Sequence, residues 1–147
     1  MTEKHTGTVK RSVMINAGVD TIWKKLSKIT KLDWLEGQKS SKFLSQKKYG
    51  VGTIRVISFE DGSDVEEHIV EWYPKKSFSY IAITGLPLLA YLATISMEKT
   101  SGGRVKVTWQ SYFVSDKMKK EFLEFSKFLN QFYIKSLQNL KSDIQRK

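Results

Sequence analysis

Cysteine is absent from the 147-residue chain. Its absence excludes disulfide bridges, zinc sites with thiolate ligands and a cysteine nucleophile. A protein that folds without disulfides is typical of a reducing compartment, and we therefore predict a cytoplasmic location.

Histidine is nearly as scarce, since only His5 and His68 are present. We expect His5 to lie in a mobile N-terminal segment, and His68 to lie on the strand face opposite Glu67 in the pairing described below. The sequence therefore predicts no pair of histidines for a metal site or a catalytic triad. The "SGG" at Ser101 falls in a predicted hairpin, and no phosphate-binding glycine loop is found. We expect neither a metal nor a cofactor.

Long hydrophobic runs are missing as well. The longest apolar stretch, "LPLLAYLATI" at residues 86–95, is far shorter than the roughly 20 residues of a membrane-spanning helix. The N-terminal "MTEKHTGTVKRS" lacks the apolar core of a signal peptide. Since no repeat, low-complexity tract or linker divides the sequence, we predict a single domain over residues 1–147.

Acidic residues are few relative to basic ones, 15 against 25, which gives a net charge of +10. Such a charge suits an anionic partner, either nucleic acid or the surface of an anionic membrane. The lysines are spread along the chain rather than collected in one block, which favours a solvated lysine-rich surface over a nucleic-acid-binding face. A peripheral membrane contact and the oligomeric state both stay open.

Hydrophobic periodicity predicts an α+β protein. Strands are predicted over "TVKRSVMI" and over "SSKFLSQ", the second at a sheet edge, and "GVDTIWKKLSKI" has the spacing of an amphipathic helix. A second short helix or turn follows with Leu32, Trp34 and Leu35. Three later segments have the composition or alternation of antiparallel strands: "SFSYIAITG", "LPLLAYLATISMEK" and "VKVTWQSYF".

The stretch "GVGTIRVISFEDGSDVEEHIVEW" at residues 50–72 predicts a β-hairpin. A three-residue loop at residues 60–62 pairs Arg55 with Glu67 and places both charges on the more apolar face. The apolar members of this face are Ile57, Phe59, Val65 and Ile69. A two-residue Asp-Gly loop would shift the register by one residue and place Arg55 opposite His68, and the sequence leaves that alternative open.

A long amphipathic helix is predicted from about Asp116 to Ile144, with Ser115 or Asp116 as its N-cap. Its apolar stripe comprises Met118, Phe122, Phe125, Leu129, Phe132, Leu137, Leu140 and Ile144. A stripe of this length must pack on a broad surface, and a curved antiparallel sheet of six or seven strands is the surface that the remaining segments can form.

In this order the segments resemble the SRPBCC superfamily, which includes the START and birch-pollen-allergen-like proteins, and in particular its polyketide cyclase/dehydrase and lipid-transport branch. The likeness rests on "VDTIWKKLS", the hairpin, "YIAITGLPLLAYLATISM" and "GGRVKVTWQSYF". It implies the helix-grip fold, in which the sheet wraps around the long C-terminal helix, with two short helices after the first strand. It also implies an elongated apolar cavity in which members bind lipids, hormones or polyketides, and some catalyse cyclisation, dehydration or isomerisation.

The resemblance also implies an Arg and a Glu that point into this cavity from neighbouring strands. Here "GTIR" supplies Arg55 and "VEEHI" supplies Glu67. The loop "EDGSD" does not match the gate sequence of the related abscisic-acid receptors, and the lysine that anchors their hormone has no counterpart. Hormone reception is therefore not supported.

Arg55 and Glu67 form the predicted polar clamp. Arg55 would donate hydrogen bonds to a ligand carbonyl, carboxylate or oxyanion, and Glu67 would orient Arg55 or act as a base if burial raises its pKa. The alternative is an ion pair that only fixes the strand register. Function is favoured because burying both charges is costly. The other predicted ligand-binding residues are Ile57, Phe59, Ile69, Tyr80, Tyr91, Trp109, Phe122, Phe125 and Leu129.

Three functions fit these features. The favoured one is a carrier or sensor that binds a small hydrophobic ligand, such as a lipid, polyketide or isoprenoid, oriented by Arg55 and Glu67. The second is a cofactor-independent cyclase, dehydratase or isomerase in which these two residues are catalytic. The third is a basic protein that binds RNA, ribosomes or anionic membranes through its surface. The first is favoured because the sequence shows no further strong acid or base to assist Glu67.

Overall fold

The computed structural model describes residues 3–146, and in this range the chain forms seven strands and two helices. The strands are β1 (His5–Ile15), β2 (Gln38–Phe43), β3 (Ile54–Phe59), β4 (Asp64–Tyr73), β5 (Ser77–Thr84), β6 (Ala90–Lys99) and β7 (Val105–Ser115), and the helices are α1 (Val19–Leu26) and α2 (Lys119–Gln145). All neighbouring strands pair antiparallel in one sheet of order β1-β7-β6-β5-β4-β3-β2. The predicted α+β arrangement is confirmed, with β2 at a sheet edge.

The β3–β4 hairpin has the register that the three-residue loop predicts. Arg55 pairs with Glu67 and Ile57 pairs with Val65. Gly62 occupies the left-handed region with φ of 91°, which closes the loop at low steric cost. The alternative register, with Arg55 opposite His68, is wrong. Both charges therefore lie on the same buried face of the sheet.

The sheet curves around α2, and aromatic contacts join the two. The alternation of β7 places Trp109 and Phe113 on the buried face. The Tyr133 ring of α2 stacks on Trp109 with the ring centroids 3.9 Å apart, and Phe125 meets Phe113 edge-on. The C-terminal helix thus packs onto the concave face of the sheet, as the long apolar stripe predicts.

α2 begins at Lys119, three residues later than the predicted start at Asp116. Ser115 belongs to β7, and its hydroxyl accepts a hydrogen bond from the Lys117 backbone N–H in the connecting turn. Met118 takes the N-cap position without a side-chain capping bond, and 73% of its surface is exposed, so it does not belong to the buried stripe. The predicted N-caps are therefore wrong.

A series of turns replaces the second predicted short helix. Residues 27–37 make isolated backbone bonds such as Lys31 N–H to the Lys28 carbonyl. Side chains of α2 take up other backbone groups of this segment: the Ser136 hydroxyl accepts from the Glu36 N–H, and the Asn139 amide donates to the Trp34 carbonyl. Because these groups find partners on α2, the segment does not require helical hydrogen bonds.

The N-terminal end of the described chain is ordered, contrary to the expectation of a mobile segment. His5 is the first residue of β1, pairs with Ser115 and stacks on Phe122 at 5.3 Å between ring centroids. Across residues 3–146, neither helix has the length and apolar content needed to cross a membrane.

Candidate ligand-binding site

A cavity of about 560 Å³ lies between the concave face of the sheet and α2. Its walls come from strands β3 to β7, the first half of α2, the turns at residues 32–37, the loop between β3 and β4 and the loop between β5 and β6. Most lining groups are apolar. Arg55, Glu67, Tyr80 and Tyr91 are buried polar members of the lining, whereas Phe128 is 60% exposed at its edge.

Arg55 and Glu67 form a buried ion pair in this cavity. Only 4% of Arg55 and 6% of Glu67 is exposed. The Arg55 Nε donates to Glu67 Oε1 at 2.9 Å, and Nη2 lies 2.8 Å from the same oxygen. Nη1 donates to the Ile29 carbonyl at 2.8 Å. All three guanidinium nitrogens therefore have protein partners.

Strand pairing and the path of the turns create this geometry together. Arg55 and Glu67 are direct cross-strand partners on the concave face. The Ile29 carbonyl is available to Arg55 because residue 29 lies in the turn segment rather than in a helix. The guanidinium is therefore held from two sides.

The acidity of Glu67 reflects its burial. Burial raises the pKa of the Glu67 carboxyl above its usual value of 4.5, while the charge and hydrogen bond of Arg55 oppose part of that rise. A carboxyl with a raised pKa is better suited to accept a proton or a hydrogen bond from a bound molecule than an exposed one is.

Tyr80 connects the ion pair to β7. The Arg55 guanidinium lies 5.0 Å from the centre of the Tyr80 ring, within the range of a cation–π contact. The Trp109 indole N–H donates to the Tyr80 hydroxyl at 3.0 Å. Burial and the neighbouring Glu67 raise the pKa of Tyr80 well above 10, so the hydroxyl keeps its proton. Tyr80 can therefore donate a hydrogen bond into the cavity.

Tyr91 and Tyr133 provide two further buried hydroxyl groups. Their hydroxyl groups are hydrogen-bonded to each other across the interface between β6 and α2. Burial is the main cause that raises the pKa of both phenols. These hydroxyls are polar, uncharged groups that remain protonated at neutral pH.

Nine of the eleven predicted site residues line the cavity. They are Arg55, Ile57, Phe59, Glu67, Tyr80, Tyr91, Trp109, Phe125 and Leu129. Ile69 and Phe122 lie outside the lining. Ile69 is a core residue next to Thr53, and Phe122 packs between His5 and Phe113 over the β1–β7 pair. We therefore leave both out of the ligand-binding proposal.

The sequence interpretation missed Trp34, Leu86, Phe128 and the hydroxyl of Tyr133. Tyr133 stands four residues after Leu129 and four before Leu137, so helical spacing alone places it on the apolar stripe. The lining role of Leu86 and Trp34 had no local signal, because both residues lie in irregular segments. Within residues 3–146 no three histidine, aspartate or glutamate side chains are grouped so that they could hold a metal ion.

Comparisons with known proteins agree with this architecture. A family model described as polyketide cyclase / dehydrase and lipid transport matches residues 6–145. No curated protein matches the sequence.

Three solved structures show the same fold. The Zhui aromatase/cyclase from Streptomyces sp. R1128 superposes with a TM-score of 0.82 at 11% identity, covering 97% of this chain and 95% of that chain. The protein XoxI from Bacillus cereus has a TM-score of 0.82 at 21% identity, with 94% and 95% covered. An uncharacterized protein from Bacillus thuringiensis has a TM-score of 0.78 at 22% identity, with 94% and 98% covered.

Proposed function

Because this chain belongs to the polyketide cyclase/dehydrase and lipid transport family, we propose that it binds a small hydrophobic ligand in the cavity between the sheet and α2. The Arg55–Glu67 pair and Tyr80 mark the polar end of this cavity. A lipid, polyketide or isoprenoid would place its apolar body against Ile57 and Leu129.

The observation that carries this proposal is a buried ion pair in a mostly apolar cavity of ligand size. Cavities that hold small molecules are typically about 300–1,000 Å³ and combine apolar walls with a few polar groups. The cavity of about 560 Å³ fits that description. An ion pair that served stability alone would gain little over an apolar pair in the same place.

Substitutions that fill the cavity with a larger side chain test the proposal. The neutral fluorophore N-phenyl-1-naphthylamine serves as the probe, and its fluorescence increase measures binding. We expect Leu129→Trp, which adds bulk to the lining, to weaken probe binding at least tenfold. Leu123→Trp is the matched control, because Leu123 lies on the same helix but is 53% exposed and does not line the cavity. Ile95→Phe fills the cavity from β6 if Leu129→Trp does not fold.

Equal probe binding by the wild type, Leu129→Trp and Ile95→Phe would contradict the proposal, as would no binding to the wild type. Native mass spectrometry of the purified protein is a second measurement. It would detect a co-purifying small molecule that Leu129→Trp loses and Leu123→Trp retains.

Acid–base catalysis is the second candidate, and the raised pKa of Glu67 beside protonated tyrosines favours it. Glu67 would remove a proton from the carbon next to a ketone, and Tyr80 would donate a hydrogen bond to the developing enolate oxygen. If that carbon lies between the ketone and a C=C bond, the enolate is conjugated with the double bond. Return of the proton from Glu67 to the far end of the double bond would then complete an isomerisation without any cofactor.

Hydrogen exchange distinguishes an enzymatic function from a carrier function. 2-Tetralone in D₂O exchanges the protons next to its carbonyl, and NMR follows that exchange. We expect an enzyme to accelerate the exchange and Glu67→Gln to abolish the acceleration while 2-tetralone still binds. If the wild type exchanges 2-tetralone no faster than buffer, the carrier function stands alone.

A further inference from the structure

The charged groups around the cavity contrast with the charge of the whole chain. The chain has a net charge of +10, yet Arg55 is the one cationic side chain in the lining and no lysine of the described chain contributes to it. Four carboxylates line the same cavity: Glu36, Glu60, Asp61 and Glu67. Glu60 and Asp61 are exposed on the hairpin loop, whereas Glu67 is buried. A ligand carboxylate inside the cavity would therefore be repelled mainly by Glu67.

Arg55 is poorly available to such a ligand. Its Nε and Nη2 both contact Glu67 Oε1, and its Nη1 donates to the Ile29 carbonyl. These contacts use three of the five guanidinium N–H groups. A ligand carboxylate that took the Nε and Nη2 side would displace Glu67 and leave a second carboxylate buried without its partner. Breaking a buried ion pair in this way is strongly unfavourable.

Two groups beside the ion pair suit a ligand hydroxyl. The contacts of Arg55 use Oε1 of Glu67, so Oε2 is the carboxylate oxygen that the ion pair leaves as an acceptor. The Tyr80 oxygen accepts from Trp109, so its own O–H is available as a donor. One acceptor and one donor side by side match a hydroxyl group, which both donates and accepts, whereas a carboxylate only accepts.

We propose that the cavity selects neutral ligands with a hydroxyl group at the polar end and discriminates against carboxylates with the same carbon skeleton. Glu67 accepts a hydrogen bond from the ligand hydroxyl and Tyr80 donates a hydrogen bond to the ligand oxygen, while Arg55 positions Glu67. This inference rests on the proposed ligand-binding function, because it names the ligand class of the same cavity.

Matched decyl compounds test this selectivity by displacement of N-phenyl-1-naphthylamine at pH 8. We expect 1-decanol to bind at least tenfold more tightly than decanoate, and more tightly than decyl methyl ether. The ether accepts from Tyr80 but has no proton for Glu67, so its weaker binding reports the contact to the carboxylate.

Three variants test which residues cause the selectivity for decanol. Glu67→Gln removes the buried negative charge and leaves Arg55 without its counter-ion, so we expect the preference for decanol over decanoate to fall at least tenfold. Glu66→Gln is the matched control, since Glu66 is the preceding residue on β4 and hydrogen-bonds His68 outside the cavity. Tyr80→Phe is expected to weaken decanol binding while n-decane binding is unchanged, and it provides a separate test if Glu67→Gln does not fold.

The outcomes distinguish this inference from the proposed function. Equal affinities for decanol and decanoate, with both displacing the probe, would overturn the hydroxyl selectivity and leave the ligand-binding function in place. If neither the probe nor any decyl compound binds, the ligand-binding function itself is overturned.

Discussion

At the level of single residues, the pairing of Arg55 with Glu67 is the most costly feature of the buried face. Each charge loses its hydration when it is buried, a loss of several kcal/mol that only close and well-oriented partners offset. Glu67, the Ile29 carbonyl and the face of the Tyr80 ring provide these partners for Arg55. The pair therefore depends on both of its members being present.

Removing one member of the pair tests this dependence. We expect Arg55→Met to lower the free energy of unfolding by about 3–5 kcal/mol, because it leaves Glu67 buried without a counter-ion. The double variant Arg55→Met/Glu67→Met restores an apolar pair, and we expect it to be more stable than Arg55→Met. Urea denaturation of the three proteins measures the difference, and strictly additive losses would contradict the argument.

The raised pKa of Glu67 predicts a pH dependence of stability. Between the unfolded pKa, near 4.5, and the higher folded pKa, the folded protein binds more protons than the unfolded chain. The contribution of Glu67 to the free energy of unfolding therefore falls as the pH rises through that window. Below the window the carboxyl is protonated in both states, and the cost of burying its charge is absent. On going from pH 7 to pH 4.5, we expect the wild type to gain stability relative to Glu67→Gln. Urea denaturation at both pH values measures this, with Glu66→Gln as the control, and an opposite trend would contradict the burial argument.

At the level of elements, the loop between β5 and β6 approaches the start of β4 closely at Gly85. Gly85 has a φ of 103°, a conformation that side chains rarely adopt. A Cβ at this position would lie 2.1 Å from the Asp64 carbonyl oxygen and 2.8 Å from the Val65 Cα. Because these atoms belong to the backbone of β4, they cannot move aside without disturbing the strand. The loop that carries Leu86 to the cavity wall thus requires glycine here.

Two alanine substitutions isolate this close approach. Gly62 also has a positive φ, of 91°, but a Cβ there would meet open space. We expect Gly62→Ala to cost about 1 kcal/mol of stability through backbone strain alone. Gly85→Ala should cost at least about 2 kcal/mol more. Thermal or urea denaturation compares the two, and equal losses would show that the contact with β4 is readily relieved.

At the level of the whole molecule, positive charge accumulates outside the cavity. Lys24, Lys25, Lys28 and Lys31 line a surface groove beside α1. Lys25 contacts Asp33 at 3.2 Å and Asp143 at 3.6 Å, whereas the other three have no carboxylate partner among the residues that the structure describes. Like charges at this density repel each other and lower stability at low ionic strength.

Screening by salt should therefore stabilise the protein. We expect the unfolding temperature to rise when NaCl increases from 0.01 to 0.3 M, because screening weakens repulsion between exposed lysines. Lys28→Glu should raise the unfolding temperature at low salt and reduce the salt response. Lys25→Glu changes the charge equally but removes two ion pairs, and it should lower the unfolding temperature. Calorimetry measures these shifts, and identical effects of the two variants would contradict the argument.

Local sequence patterns were sufficient to predict the strands, α1, α2 and the pairing within the β3–β4 hairpin. The alternation of residues 53–59 and 63–69 around a loop that ends in Gly62 favours the register that opposes Arg55 and Glu67, and the structure excludes the register shifted by one residue. The heptad-like stripe of α2 predicts which helix face meets the sheet, and with it the part of the cavity wall that Phe125 and Leu129 form. These features depend on residues close in sequence or on simple periodicity, so local patterns are sufficient to predict them.

The contacts of the buried polar groups depend on the packing of distant parts of the chain. The Ile29 carbonyl reaches Arg55 because residues 27–37 form turns anchored to Ser136 and Asn139 of α2. The separation of α2 from the sheet leaves a cavity, excludes Phe122 from its wall and brings Tyr133 to Tyr91. Such contacts join residues far apart in the chain, and their geometry follows from the packing of the whole core, which no local pattern of side chains encodes.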